Sequence, residues 1–368
     1  MNRLESGQEK RLEAKRQRAG AGRWLRLLPV LLLVPFACRD KAAPPAAPAP
    51  PPPAGTFLNP LLNSGPDPWV IHHGGWYYYC HTVGNGVRLW KTRRMSELAA
   101  AENRLVWQPG PGEPFSRNVW APELHHLDGR WYLYVTAGSG DNSTQRLWVL
   151  ENPAANPLEG SWTMKGQLTT PDNRWAIDAT VGRVDGQWYV AWSGWEGPTN
   201  GRQDLYIAPL KNPWTTDGPR VRISSPEFDW EKIGDPDVNE GPQFLQRDGR
   251  TFLVYSASGC WTDDYALGLL TLRAGGNPLD GQSWQKSAGP VFTRRPEARA
   301  FGPGHGSFFV SPDGTEDWMI YHANPQAGQG CTDTRSPRMQ KIGWSADGRP
   351  TFGRPVPVLE PLPRPAGE

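Results

Sequence analysis

Asp67, Glu123, Asp178, Glu240 and His305 each stand a short, similar distance before a turn glycine, in stretches that are otherwise apolar or turn-forming. The glycines are Gly75, Gly129, Gly186, Gly249 and Gly314, and the polar residues precede them by 8, 6, 8, 9 and 9 positions. Asp178 is the clearest case, because Ile177, Ala179 and Val181 surround it. A charged side chain is seldom buried in a strand unless it is paired or functional. Carboxyl groups brought together acquire different pKa values, since burial and like charge oppose a second ionisation. One protonated and one ionised carboxyl is the pair that hydrolysis of a glycosidic bond requires. The first gives a proton to the leaving oxygen and the second activates water; in an inverting enzyme they stand about 6.5–9.5 Å apart. No Gly-rich phosphate loop follows a strand, and no Ser nucleophile elbow is evident.

Five similar units must position these residues. A turn glycine followed by an alternating aromatic strand recurs at 72–82, 125–138, 183–195, 246–258 and 311–323, with glycine spacings of 54, 57, 63 and 65. Asp-Gly between hydrophobic runs is a hairpin signal. A period near 60 residues has room for the four strands of a propeller blade. The expectation is therefore an all-β, five-bladed β-propeller with four-stranded blades around a central channel. The first strand of each blade lines that channel, so the five polar residues should converge on its axis. A β-sandwich is the alternative, but it gives no reason for five similar units. Most of the 19 Trp should be packing between blades.

The 368 residues carry a formal net charge of +2, which conceals an asymmetry. Residues 1–43 hold ten Lys/Arg and four Asp/Glu, leaving 29 basic against 33 acidic in the remainder. A mildly acidic body gives no electrostatic reason to expect nucleic-acid binding, so that class is set aside. A basic stretch to Arg26 leads into the apolar run Leu27–Ala37 and then Cys38. The run is too short to span a bilayer but suits an export signal. Ala37-Cys38 resembles a bacterial lipoprotein processing site, so Cys38 is a candidate lipid anchor; an ordinary cleaved signal is the alternative. Residues 1–38 are thus expected to be an export signal, 39–54 a Pro/Ala-rich linker and 55–362 the propeller. The protein is expected to be exported, as an anchored lipoprotein or secreted. Of Cys80, Cys260 and Cys331, the last two are expected to pair, because both follow a strand near the end of a repeat.

Asp67-Pro68-Trp69, Trp120-Ala121-Pro122-Glu123, Ile177-Asp178, Asn239-Glu240-Gly241-Pro242 and Gly302-Pro303-Gly304-His305 together resemble glycoside hydrolase family 43, over residues 57–360. The resemblance implies a five-bladed propeller that inverts anomeric configuration and requires no cofactor. It implies Asp67 as general base, Glu240 as general acid and Asp178 as the group that orients the acid and modulates its pKa. It places His305 at the channel centre, beside a water or a calcium ion. Leu205-Tyr206-Ile207-Ala208, Phe228-Asp229-Trp230-Glu231 and Tyr255-Ser256-Ala257-Ser258 look closer to the exo-α-1,5-L-arabinofuranosidases. Arg338-Met339-Gln340-Lys341 is similar to the segment whose Arg reaches the sugar, which makes Arg338 a substrate-binding candidate alongside Glu123 and His305. Trp195 and Trp261 follow blade strands and are candidates for a sugar platform, with packing as the alternative for each. The implied substrate is an arabinose- or xylose-containing oligo- or polysaccharide. A β-xylosidase, an endo-arabinanase and a non-catalytic glycan-binding propeller stay open as alternatives.

Overall fold

The computed structural model describes residues 52–368; the expected export signal, Cys38 and most of the linker lie outside them. Gly75, Gly129, Gly186 and Gly249 all have positive φ, as do the residues before them, Gly74, Asp128, Asp185 and Asp248. Two successive left-handed residues form the tight turn whose twist matches that of the flanking strands. Each closes a two-residue hairpin, His73 opposite Trp76, Leu127 opposite Arg130, Val184 opposite Gln187 and Arg247 opposite Arg250. The fifth hairpin, across Gly314, is longer, with Val310 opposite Asp317.

These hairpins are the inner halves of five antiparallel sheets, the blades. Blade 1 comprises Trp69–His73, Trp76–Cys80, Val87–Thr92 and Glu102–Trp107. Blade 2 comprises Arg117–Leu127, Arg130–Gly138, Arg146–Asn152 and Thr163–Gln167. Blade 3 runs Ala176–Val184, Gln187–Trp195 and Gln203–Asn212, and its outer edge is shared by Thr215–Thr216 and Val221–Ser224. Blade 4 comprises Asn239–Arg247, Arg250–Ala257, Ala266–Leu272 and Trp284–Lys286. Blade 5 has three strands, Phe301–Val310, Asp317–Asn324 and Ser336–Lys341. The fold is the expected five-bladed propeller, with the strand count varying in blades 3 and 5.

Apolar clusters between neighbouring blades hold the ring together. Trp131, Leu133 and Leu150 of blade 2 meet Tyr78 and Leu89 of blade 1, and Tyr132 and Tyr134 meet Val190, Trp192 and Tyr206 of blade 3. Similar clusters join blades 3 and 4, 4 and 5, and 5 and 1. The last closes the circle by packing, and Thr56–Phe57 pairs with Leu362–Pro363 beside it. Cys260 and Cys331 are disulfide-bonded and tie blade 4 to blade 5. Cys80 is buried and free, its thiol against the Pro122 carbonyl.

Trp131 illustrates what these seams contribute. It is 1% exposed, lies edge-on to Tyr78 with ring centroids 5.0 Å apart, and donates its indole N–H to the Ala155 carbonyl. Trp131→Ala is expected to destabilise the fold by about 3–5 kcal/mol. Chemical denaturation of the variant against the parent checks this, and a loss under about 1 kcal/mol would contradict the seam's importance.

Candidate active site

Each inner strand has a left-handed residue near the axis: Asp67 just ahead of its strand, then Ala121, Asp178, Gly241 and His305, with φ of 56°, 40°, 58°, 53° and 45°; Asn118 and Gly302 are left-handed as well, nearer the start of their strands. Within blades 2 to 5 this coincides with a break in register against the second strand. Such a bulge re-aims side chains and leaves one amide without a partner in its own sheet. A side chain from the preceding blade, or from the turn just beyond its second strand, accepts that N–H. Asp67 donates to His322 Nδ1 at 3.0 Å, Ala121 to Thr82 Oγ1 at 2.7 Å, Asp178 to Thr136 Oγ1 at 3.0 Å, and His305 to Ser256 Oγ at 2.8 Å. In blade 4 the acceptor is a carboxylate, as Gly241 donates to Asp178 Oδ2 at 3.0 Å.

The bulges also define which residues are equivalent. Asp67, Asp178 and His305 share one position, whereas Glu240 lies one residue before it and Glu123 two after. Distance to the turn glycine had equated all five. Asp67, Asp178, Glu240 and His305 line a cavity of about 530 Å³ at the mouth of the channel. Glu123 does not. It lies deeper, bonded to His125 Nε2 at 2.8 Å and to the Gln243 amide. Burial raises its pKa well above the usual carboxyl range, so it is a neutral buried group away from the cavity.

Arg338 is fully buried, and its Nη2 donates to the carbonyls of Arg299 at 2.7 Å and Ala323 at 3.3 Å. The cavity's guanidinium is Arg335, which sits just before the strand that holds Arg338 and meets Asp67 Oδ1 at 2.8 Å. Trp195 is also set back from the cavity. It stacks behind Trp175, rings 4.6 Å apart and 6° from parallel, and Trp175 faces the cavity with Trp120 and Ile177. Trp261 lines the rim. Arg335, Thr82, Tyr265, His322 and Trp175 are the site residues that sequence reasoning missed. Only His322 carried a signal, as a polar residue between Tyr321 and Ala323 in a buried strand.

The three carboxyl groups sit in unlike surroundings. Burial opposes the ionisation of Asp67, but Arg335, His305, His322 and the Thr82 hydroxyl at 2.7 Å outweigh it and hold its carboxyl far below the usual range. Burial lowers the pKa of both imidazoles, which are therefore neutral, so Arg335 and Thr82 carry this effect at neutral pH. Glu240 goes the other way. Burial raises it to about 7, despite a bond from the Tyr265 hydroxyl at 2.8 Å. Asp178 is raised well above its ordinary value, by burial first and then by Glu240 and Asp67.

The surroundings of His305 do not suit the expected calcium ion. Calcium takes about six to eight oxygen ligands, and the nearest carboxylate, Asp67, is already engaged by Arg335 and Thr82. Among the described residues, no group of three or more His, Cys, Asp or Glu is arranged to hold a metal.

Buried axial carboxyl groups with divergent pKa values at the mouth of a five-bladed propeller describe the glycosidase class of site. Residues 57–350 match the model of Glycosyl hydrolases family 43, and the chain belongs to that family. It is 42% identical over 314 residues to the alpha-L-arabinofuranosidase 43 of Humicola insolens, covering 83% of this chain and 65% of that protein. It is 40% identical over 334 residues to the extracellular exo-alpha-(1->5)-L-arabinofuranosidase of Streptomyces avermitilis, covering 88% and 69%. The chain thus spans about two thirds of the length of these relatives. The crystal structure of an alpha-L-arabinofuranosidase from Lactobacillus brevis superposes with a TM-score of 0.78 at 36% identity, over 83% of this chain and 98% of that one.

The pKa of Glu240 has a consequence for stability. An unfolded Glu ionises near 4.5, whereas folded Glu240 holds its proton to about 7. Between those values the unfolded state binds fewer protons, so stability is full below the window and falls as pH rises through it. Asp178, also raised, acts in the same direction. Glu240→Gln removes this penalty, and its stability relative to the parent should improve by on the order of 2 kcal/mol between pH 5 and pH 8. Denaturation at the two pH values measures the difference; an equal effect at both would refute the raised pKa.

Proposed function

We propose that this protein is an exported α-L-arabinofuranosidase that cleaves arabinan or arabino-oligosaccharides with inversion of configuration. The observation that carries this reading is the opposite electrostatic setting of Asp67 and Glu240 within one cavity. Asp67 is the general base. Its carboxylate is an anion over the whole working range of pH, fixed by Arg335 and Thr82 and able to draw a proton from a water poised to attack the anomeric carbon. Glu240 is the general acid, protonated near neutrality and able to give that proton to the leaving oxygen. Asp178 is the modulator. It titrates as one of a coupled pair with Glu240, and the Gly241 amide at 3.0 Å fixes its carboxyl beside the strand that bears the acid.

The substrate class draws on the relatives, whose names specify arabinofuranosidases, and export on those called extracellular. A solved protein whose title names a xylan beta-1,4-xylosidase, at 20% identity, shares the fold alone. Lipid attachment at Cys38 is the finer part of the localisation and is supported by the Ala37-Cys38 site and the Pro/Ala stretch after it.

Release of p-nitrophenol from the aryl α-L-arabinofuranoside, with the aryl β-xyloside and arabinotriose in parallel, tests the substrate. Arabinoside cleavage is expected, and preference for the xyloside would replace the substrate while keeping the mechanism. Asp67→Asn and Glu240→Gln should each reduce arabinotriose turnover by about 10²–10⁴-fold, with a smaller loss for Glu240→Gln on the aryl glycoside, whose leaving group needs less protonation. Parent activity should decline as pH rises through about 7. Arg335→Gln should move the acidic limb of the profile upward, because Asp67 loses the cation that keeps it ionised. Proton NMR of the first-formed sugar should show the inverted anomer, and retention would remove Asp67 from the role of base.

A further inference from the structure

Trp261 is the most exposed tryptophan among the described residues, at 43%, and it lies on the cavity rim. An exposed indole is usually mobile, but this one is bedded on backbone. A Cβ at Gly259 would fall 2.3 Å from its ring, and one at Gly234 would fall 2.9 Å from it. Only glycine permits so flat a seat, and it leaves part of the ring open to solvent.

The seat is also tied down. Cys260, the preceding residue, is bonded to Cys331 on the blade 5 loop, and both cysteines line the cavity. Asp263 adds two ties to blade 5, accepting from Gly328 N on the Cys331 loop at 2.8 Å with its side chain and from Gly302 N in the first strand at 2.9 Å with its carbonyl. Glu240 pairs with Ser256 on the strand that leads directly to this loop. Trp261 therefore rises from the same blade as Glu240, the group assigned above to protonate the leaving oxygen.

We propose that Trp261 is the platform for the sugar on the leaving-group side of the scissile bond, and that the Cys260–Cys331 disulfide, by fixing it, makes oligosaccharide turnover redox-sensitive. The inference rests on the glycosidase reading above and adds a binding position and a covalent control to it. The C–H face of a pyranose or furanose unit would stack on the indole. An aryl leaving group has no such sugar, so oligosaccharides should feel the platform more. Reduction by a dithiol passes two electrons and two protons to the disulfide, giving two cysteine thiols and the oxidised cyclic dithiol. The loop pair then keeps only its hydrogen bonds.

The experiment compares kcat/KM for α-1,5-arabinotriose with that for p-nitrophenyl α-L-arabinofuranoside, as a ratio. Trp261→Ala should lower this ratio about tenfold, equivalent to about 1.4 kcal/mol, through KM rather than kcat. Trp261→Phe should recover most of it. Cys260→Ser/Cys331→Ser, or dithiothreitol on the parent, should lower the ratio in the same way and add little in the Trp261→Ala background. Thermal melting confirms that each variant is folded. An unchanged ratio in Trp261→Ala overturns the platform. Loss of kcat on reduction, with a shifted acidic limb, overturns the disulfide's assignment and moves it to Arg335, four residues beyond Cys331. A parent inactive on both substrates would overturn the underlying glycosidase reading; an active parent with an unmoved ratio would overturn only this one.

Discussion

The architecture depends on one repeated hydrogen bond, from the left-handed residue of each inner strand to an acceptor presented by the blade before it. The bulge that turns this residue toward the axis withdraws its amide from the sheet, and a buried amide without a partner costs about 1–3 kcal/mol. A left-handed Asp or His carries a further cost of similar size. Neighbouring blades must therefore meet with an acceptor in place, which fixes their relative position near the axis more tightly than apolar packing would. At four of the junctions the acceptor is a hydroxyl or an imidazole. Between blades 3 and 4 it is Asp178, so the bond that joins those blades also places one carboxylate beside the strand bearing Glu240. At that junction one contact serves both structure and the site.

From that geometry the electrostatics follow. Three carboxyl groups in one small cavity cannot all ionise cheaply, and the protein separates them by surroundings rather than by distance. Asp67 receives the one guanidinium that lines the cavity among the described residues, together with a hydroxyl. Glu240 receives burial, which keeps its proton to near neutral pH against the opposing bond from the Tyr265 phenol. The neutral state of His305 and His322 matters here, because a second full cation beside Asp67 would stabilise its anion so strongly that it would be a poor base.

Much of this was readable in the chain. Asp-Gly turns carry their conformation in their residue types, so five hairpins at a regular period specified the propeller, and Asp178 stood out among apolar neighbours. Spacing to a turn glycine could not reveal bulges. Each bulge adds a residue to one strand without changing residue type, so Glu123 was equated with residues that it does not accompany. Arg335 and Arg338 are close in sequence and alike in chemistry, and only the path of blade 5 sends one to Asp67 and the other into backbone carbonyls. Tyr265 and Thr82 each reach a carboxylate of their own blade from a segment between strands, contacts that leave no periodic trace.

Blade 5 bears the greatest demand with the least sheet. It has three strands among the described residues, yet it contributes His305, His322 and Arg335, the groups gathered around Asp67. Fewer ladder bonds would leave it the blade most free to shift, and a small displacement of Arg335 would release the Asp67 carboxylate. Covalent and terminal ties fall where that weakness lies. The disulfide joins its outer loop to blade 4, while the Thr56–Phe57 and Leu362–Pro363 pairing braces the packed seam where blade 5 meets blade 1. The ring closes by packing rather than by exchanging a strand, so these two ties supply what a strand exchange would otherwise provide. The geometry around Asp67 is therefore set as much by how the circle is closed as by the strand that carries it.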